Sequence, residues 1–236
     1  KMGAAILSAT AALRTGSGLV TALIPSTERQ ILQVVVPEAM CLFSLPEDLS
    51  VFDAIGLGPG LGLEGKVELL RNLFQNYQKP LVLDADAITL LGQNPDLIPL
   101  VPKGSILTPH LGEFDRILGK SANHKERLEK ASEFCQHWKL NLLIKGANSV
   151  ICFSDGRQIF NSSGTQHMAT AGSGDVLAGM LTSFLGQGYS LEQAMICGVY
   201  HHGLAGEIAG KSKRRGTMAS DIIEAIPETF VQLDVS

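Results

Sequence analysis

The sequence has little charge, few cysteines and no long apolar run. Charged residues make up 18% of its 236 positions, against 45% hydrophobic ones, a balance that belongs to a packed chain and excludes a disordered one. A formal net charge of −4 argues against a nucleic-acid surface. The one dense basic run, Lys211-Ser-Lys-Arg-Arg215, reads first as a solvated loop and second as a phosphate contact. Cys41, Cys135, Cys152 and Cys197 stand far apart with no C-x-x-C pair, which excludes a disulfide framework and predicts reduced thiols in a cytoplasmic protein. Neither Cys/His zinc spacing nor a Gly-x-x-x-x-Gly-Lys-Ser/Thr loop occurs, so zinc and Walker-type chemistry are poor readings. No stretch reaches the roughly 18–20 apolar residues that span a bilayer, and Arg14 interrupts the apolar start that would otherwise resemble a signal peptide. The expected partners are therefore small molecules, with no nucleic acid and no membrane.

What is present is an alternation. Gly3 to Leu13 predicts a closely packed helix, Leu19 to Ile24 a strand closed by Pro25, residues 27–32 a short helix capped by Ser26, and Val34-Val-Val36 a further strand. From residue 54 onward, strands over 54–57, 81–83, 105–107 and 141–144 alternate with helices over 67–77, up to Leu91, up to Leu118, and over 123–138. Such alternation implies βαβ units and a mostly parallel sheet in an α/β layer fold. After Lys145 come a hairpin about Asp155-Gly156 and three helices, roughly 176–186, 191–210 and 219–226. With no repeat, low-complexity tract or linker, residues 1–236 read as one domain. The chain enters its first helix directly, and a piece before Lys1 is expected to be missing from it. Apolar helices such as Leu191–Ala209 make a homo-oligomer the expected assembly.

The most informative stretch is Met168-Ala-Thr-Ala-Gly-Ser-Gly-Asp175, followed by the apolar run from Val176 to Leu185. Its glycines fall where a loop becomes a helix N-terminus, an end whose unpaired N–H groups suit phosphate. Asp175 is either a helix cap or a base held beside that phosphate, and the stretch alone leaves both open. The other unusual clusters fall at carboxyl ends of predicted strands, where open parallel sheets bind ligands. They are Gly58-Pro-Gly-Leu-Gly62, Asp84-Ala-Asp86, Thr108-Pro-His110 and Lys145-Gly146. The G-x-G-x-G spacing is not the dinucleotide fingerprint and by itself is a turn. Asp86 reads as a helix cap, and Asp84 as a residue organising a magnesium–phosphate shell through water. His110 and Glu113 open a helix three residues apart and can face one crevice, although Glu113 also fits a capping box. Lys145, between a buried strand and a glycine, favours contact with phosphate or ribose. His201 and His202 are adjacent on a helix, cannot share a face as metal ligands, and read as packing residues. No residue is assigned as a direct metal ligand.

Taken in order, Gly3-Ala-Ala, Gly58-Pro-Gly-Leu-Gly62, Leu83-Asp-Ala-Asp-Ala87, Leu107-Thr-Pro-His-Leu-Gly-Glu-Phe114, Lys145-Gly-Ala-Asn-Ser149 and Ala169-Thr-Ala-Gly-Ser-Gly-Asp175 resemble the ADP/ATP-dependent NAD(P)H-hydrate dehydratases. The resemblance is to the bacterial ADP-dependent type, within the ribokinase-like superfamily. It implies a three-layer α/β/α fold and a metabolite-repair reaction that restores NADH or NADPH from the (S)-hydrates, with ADP or ATP as co-substrate and Mg²⁺. By the same resemblance Ala4, Gly60, Gly62, His110, Glu113 and Asp175 bind the hydrate. Lys145, Gly146, Ala147, Asn148, Ser149, Thr165, Thr170, Gly172, Ser173 and Gly174 bind the nucleotide, and Asp175 is the catalytic base. Two competing functions are a superfamily kinase for a vitamin-precursor alcohol and a nucleotide-sensing protein without turnover.

Overall fold

The structure is a computed structural model that describes residues 1–233; the last three residues of the expected domain lie outside the described residues. Its helices and strands run α1 (Met2–Arg14), β1 (Thr21–Leu23), α2 (Arg29–Val35), β2 (Met40–Leu42), β3 (Ile55–Leu57), α3 (Val67–Asn76), β4 (Leu81–Leu83), α4 (Ala85–Gln93), β5 (Ile106–Leu107) and α5 (Leu111–Leu118). There follow α6 (His124–Trp138), β6 (Asn141–Ile144), β7 (Val150–Cys152), β8 (Gln158–Phe160), α7 (Ser173–Gly186), α8 (Leu191–Lys213) and α9 (Ala219–Gln232). The chain divides into two compact units, one of residues 54–162 and one of residues 1–53 with 163–236.

The unit of residues 54–162 holds a six-stranded sheet in the order β3-β4-β5-β6-β7-β8. Strands β3 to β6 pair in parallel, and β7 and β8 add on antiparallel. Every residue of β4 and of β6 is buried, as expected of parallel strands covered on both faces. The β7–β8 hairpin closes as expected at Asp155-Gly156, where the Gly156 amide donates to the Phe153 carbonyl at 2.9 Å. A side chain starts α6, where Asn123 accepts from the Glu126 amide at 3.0 Å.

The other unit is built on α1, α7, α8 and α9. Small residues let α1 and α7 approach closely: a Cβ on Gly179 would stand 2.1 Å from the Ser8 carbonyl, and Ser183 donates to the Ala12 carbonyl at 3.0 Å. Ala11, Val176, Met180, Ala205, Ile222 and Ile226 form the core between these helices. The apolar residues of α8 are largely buried within this unit, among them Ala194, Met195, Val199, Ala205 and Ala209.

Four early expectations are corrected here. Val34-Val-Val36 is not a strand: Leu32 and Val36 are the buried pair, and the Val36 amide closes α2 on the Leu32 carbonyl at 2.7 Å. A spacing of four is a helix face, so the three valines divide between solvent and core, and the strand that pairs with β1 is Met40–Leu42. That β1 partner also shortens the Leu19–Ile24 strand to Thr21–Leu23. Ser26 is not the cap of a helix: it begins a 3₁₀ turn whose N-cap position falls on Pro25, and α2 starts three residues later with Glu28 at its N-cap. The basic run is exposed as expected but is no loop: Lys211 to Lys213 finish α8, and Lys213 bonds Asp221 at 2.7 Å.

Candidate active site

In the sheet-bearing unit, four of the clusters at strand ends come together because their strands are neighbours. The Asp84 amide donates to the Leu57 carbonyl and the Thr108 amide to the Leu83 carbonyl, both at 3.0 Å, and the Lys145 amide donates to the Pro109 carbonyl at 2.9 Å. These bonds carry the sheet register past the strand ends. Gly58 must be glycine, since with φ +126° a Cβ there would lie 1.8 Å from the Asp84 carbonyl. The turn it opens is tied down again at Gly62, whose amide donates to Asp86 Oδ2 at 2.8 Å.

Asp86 is therefore not the helix cap that was expected. Asp84 occupies that position but its side chain makes no capping bond. Ala85 between them has φ +46°, a left-handed conformation costing a non-glycine residue roughly 1–2 kcal/mol. Around this bend the two carboxylates take separate partners. Asp84, 1% exposed, accepts from Thr108 Oγ1 at 2.7 Å and from Lys145 Nζ at 2.5 Å. Both charges of the pair are thus met by a partner in a buried place, as buried charges require.

His110 and Glu113 form a capping box at the start of α5. His110 Nδ1 accepts from the Gly112 and Glu113 amides at 3.0 and 3.2 Å, and Glu113 Oε2 accepts from the His110 amide at 2.8 Å. Accepting amides at Nδ1 leaves the proton of a neutral ring on Nε2, which lies 3.5 Å from Glu113 Oε1. Burial raises the Glu113 carboxyl above its ordinary value, against the lowering by the His110 amide and the charges of Lys145 and His110. The site thus offers a buried acid and a solvent-facing imidazole, held together. Gly146, Ala147 and Asn148 follow Lys145 as an exposed loop leading to Ser149 and β7.

In the other unit, residues 163–172 lie along α8. Thr165 caps a short 3₁₀ turn by accepting from the His167 amide, and the Thr170 amide donates to the Met168 carbonyl at 2.8 Å. The seat for this loop is a row of small residues. A Cβ on Gly203 would be 2.1 Å from Ser163 Oγ, and one on Gly206 would be 2.1 Å from the Met168 sulfur. Glu207 adds an acceptor for the Gly164 amide at 2.7 Å. The loop ends at Gly172, whose φ of +90° turns it into α7, and where a Cβ would meet Leu7 at 2.5 Å. Gly172, not Asp175, holds the N-cap position. Asp175 stands in the first turn, half-buried, with its Oδ2 3.9 Å from where that Cβ would be. Amides in such a turn have no intrahelical acceptor and aim outward, a geometry that suits a phosphoryl group. Ala4 is a half-buried residue of α1.

A family profile described as NAD(P)H-hydrate dehydratase matches residues 1–228. The chain belongs to the NAD(P)H-hydrate dehydratase family. It is 37% identical to the bifunctional NAD(P)H-hydrate repair enzyme of Moorella thermoacetica, over 98% of this chain and 47% of that protein. The chain thus spans about half the length of the curated bifunctional relatives it matches. With the ADP-dependent (S)-NAD(P)H-hydrate dehydratase of Staphylococcus aureus it shares 33% identity over 98% of this chain and 85% of that one. A structure of the ADP/ATP-dependent NAD(P)H-hydrate dehydratase of Bacillus subtilis, co-crystallised with ATP and Mg²⁺, superposes with a TM-score of 0.84 at 27% identity, covering 98% of this chain and 84% of that one. Arabidopsis thaliana ribokinase, at 12% identity and a TM-score of 0.60, shares the fold alone. The fold is the ribokinase-like α/β/α class, as the resemblance implied.

Seen as a family member, the chain shows what the motifs do structurally and what they omitted. Gly60, Gly62, His110 and Glu113 belong to the sheet-bearing unit together with Lys145 to Ser149; Ala4, Thr165, Thr170, Gly172 to Gly174 and Asp175 belong to the other. Asp84 is engaged by Lys145 and Thr108. The strained Ala85 and the contact of His202 with α7 were not foreseen. Nothing in the sequence marks Ala85, because its conformation is imposed by what surrounds it. The α8 seat had a signal in Gly203, Gly206 and Gly210, a row at helical spacing.

Proposed function

We propose that the chain catalyses nucleotide-dependent dehydration of (S)-NADHX or (S)-NADPHX, returning NADH or NADPH with AMP and phosphate from ADP, or ADP and phosphate from ATP. The observation that carries this reading is the Ala171-Gly-Ser-Gly-Asp175 turn, which forms a helix N-terminus with a carboxylate in its first turn, in a chain whose family is that of the hydrate dehydratases. Asp175 is the general base. It takes the proton of the C6 hydroxyl as that oxygen attacks the terminal phosphoryl group, and the bond from that phosphorus to the bridging oxygen breaks. Amides of the Gly172–Gly174 turn stabilise the equatorial oxygens, so positioning and electrostatics dominate. The ring nitrogen then expels phosphate from C6, and loss of the C5 proton restores the double bond.

Mg²⁺ would be held mainly through the nucleotide's phosphates, as is usual for this ion, and would supply charge neutralisation there. Among the described residues no group of three or more His, Cys, Asp or Glu side chains is placed to hold a metal. In this reading Ala4, Gly60, Gly62, His110 and Glu113 bind the hydrate, and Lys145 to Ser149, Thr165, Thr170 and Gly172 to Gly174 bind the nucleotide. One domain over residues 1–236 carries the reaction. ADP is the preferred donor, by likeness to the S. aureus relative. A cytoplasmic setting agrees with four free cysteines, and no helix among the described residues is long and apolar enough to cross a membrane. Because α8 turns its apolar residues inward, support for a homo-oligomer comes instead from the exposed Ile31, Val34 and Val35.

Incubation of the protein with (S)-NADHX, Mg²⁺ and ADP or ATP tests the function. NADH absorbance should return with stoichiometric release of phosphate. Accumulation of a stable phosphorylated alcohol without free phosphate would mark a kinase, and absence of any nucleotide turnover would mark a binding protein.

A further inference from the structure

The two adjacent histidines of α8 serve different neighbours. His201 Nδ1 lies 2.7 Å from Thr229 Oγ1, and its ring stacks on Phe230 with centroids 4.5 Å apart, so it belongs to the packing of α8 against α9. His202, 8% exposed, points at the first turn of α7. Its Nε2 is 2.9 Å from the Ser173 carbonyl oxygen and 3.3 Å from Ser173 Oγ. A carbonyl oxygen can only accept, so this contact is a hydrogen bond when Nε2 carries the proton.

The Ser173 carbonyl and the Gly174 N–H are two ends of one planar peptide unit. Fixing the carbonyl therefore fixes the direction of the amide. Donation into the carbonyl also polarises the unit and strengthens Gly174 N–H as a donor, as in any chain of hydrogen bonds. Close packing of Gly203 on Ser163 and of Gly206 on Met168 leaves α8 little freedom beside the loop, which holds the imidazole in register.

We propose that His202 is a positioning residue for phosphoryl transfer. By donating from Nε2 to the Ser173 carbonyl it aims and polarises the Gly174 amide that receives the transferring phosphoryl group. The inference rests on the reading of the Gly172–Gly174 turn as the phosphoryl-binding element.

His202→Leu and His202→Gln, assayed as folded protein for NADH recovery from (S)-NADHX with Mg²⁺ and ADP, test it. The leucine variant should lose kcat by on the order of tenfold, the weight of one hydrogen bond, with KM for the hydrate unchanged. Glutamine can place an amide N–H near the position of Nε2 and should recover most of the loss, which a purely space-filling role would not predict. Full kcat in folded His202→Leu, with the wild type active, overturns this inference alone. An inactive wild type overturns the functional reading and the inference with it. Should the leucine variant fail to fold, ¹⁵N spectra of the wild-type chain decide: the Nε2-protonated tautomer of His202 is expected, and a neutral ring protonated only at Nδ1 contradicts the proposal.

Discussion

Lys145 and Asp84 are 61 positions apart in the chain and one bond apart in space. The sequence placed Lys145 at the end of a buried strand, and that placement is right; which acceptor its ammonium meets depends on the order of β4, β5 and β6, which no local pattern encodes. The pair carries a stability prediction. Lys145→Met leaves a carboxylate, 2% exposed in its side chain, with only the Thr108 hydroxyl and no opposing charge. Breaking such a pair on one side should lower stability by about 3 kcal/mol, read as a shift in the urea midpoint at unchanged slope. A shift near zero would mean that Asp84 takes up its proton or is reached by water at no cost. Glu113 was legible in both its aspects, as a helix-opening acid and as a capping-box partner. The raised carboxyl was not legible, because burial is a property of the assembled sheet edge.

At the scale of elements, strand–helix alternation foretold the parallel part of the sheet, and the glycine, histidine and lysine clusters marked the strand ends without error. The misread strand has a local cause: short apolar runs such as Val34-Val-Val36 fit a strand and one turn of helix equally. Capping was legible at Glu113, whose partner His110 is three residues away in the box that opens α5, and not at Asp84 and Asp86, where tertiary partners take the carboxylates. The start of α9 gives a prediction at this scale. Asp221 accepts from the Met218 amide at 2.8 Å and from Lys213 at 2.7 Å. The Lys213 hydrogen bond first, and then the Met218 amide, hold its carboxyl below the ordinary value of 3.8. A carboxyl depressed by folding stabilises the folded chain above its unfolded pKa, and the contribution is lost as pH falls through the lower folded value. Asp221→Asn should therefore cost about 1 kcal/mol at pH 7, the usual weight of a helix cap. The gap from wild type should close as the unfolding series is carried below the ordinary aspartate range. A gap independent of pH would show that shape, not charge, is what Asp221 contributes.

For the molecule as a whole, the motifs were legible as an ordered set and not singly. Gly-Ser-Gly-Asp marks only a superfamily; its company with Thr-Pro-His-Leu-Gly-Glu-Phe narrowed the family, which the match over residues 1–228 then showed. The residues assigned to the reaction divide between the two units of the chain, so stability and activity need not change together. The central claim is that Asp175, in the first turn of α7, is the base of a nucleotide-driven dehydration, and one variant tests it most directly. Asp175→Asn should bind ADP with near wild-type affinity and keep its thermal transition, while turnover of (S)-NADHX falls by on the order of 10²–10⁴, the weight of a positioned acid–base group. Turnover close to wild type in that variant would remove Asp175 from the mechanism and contradict the account.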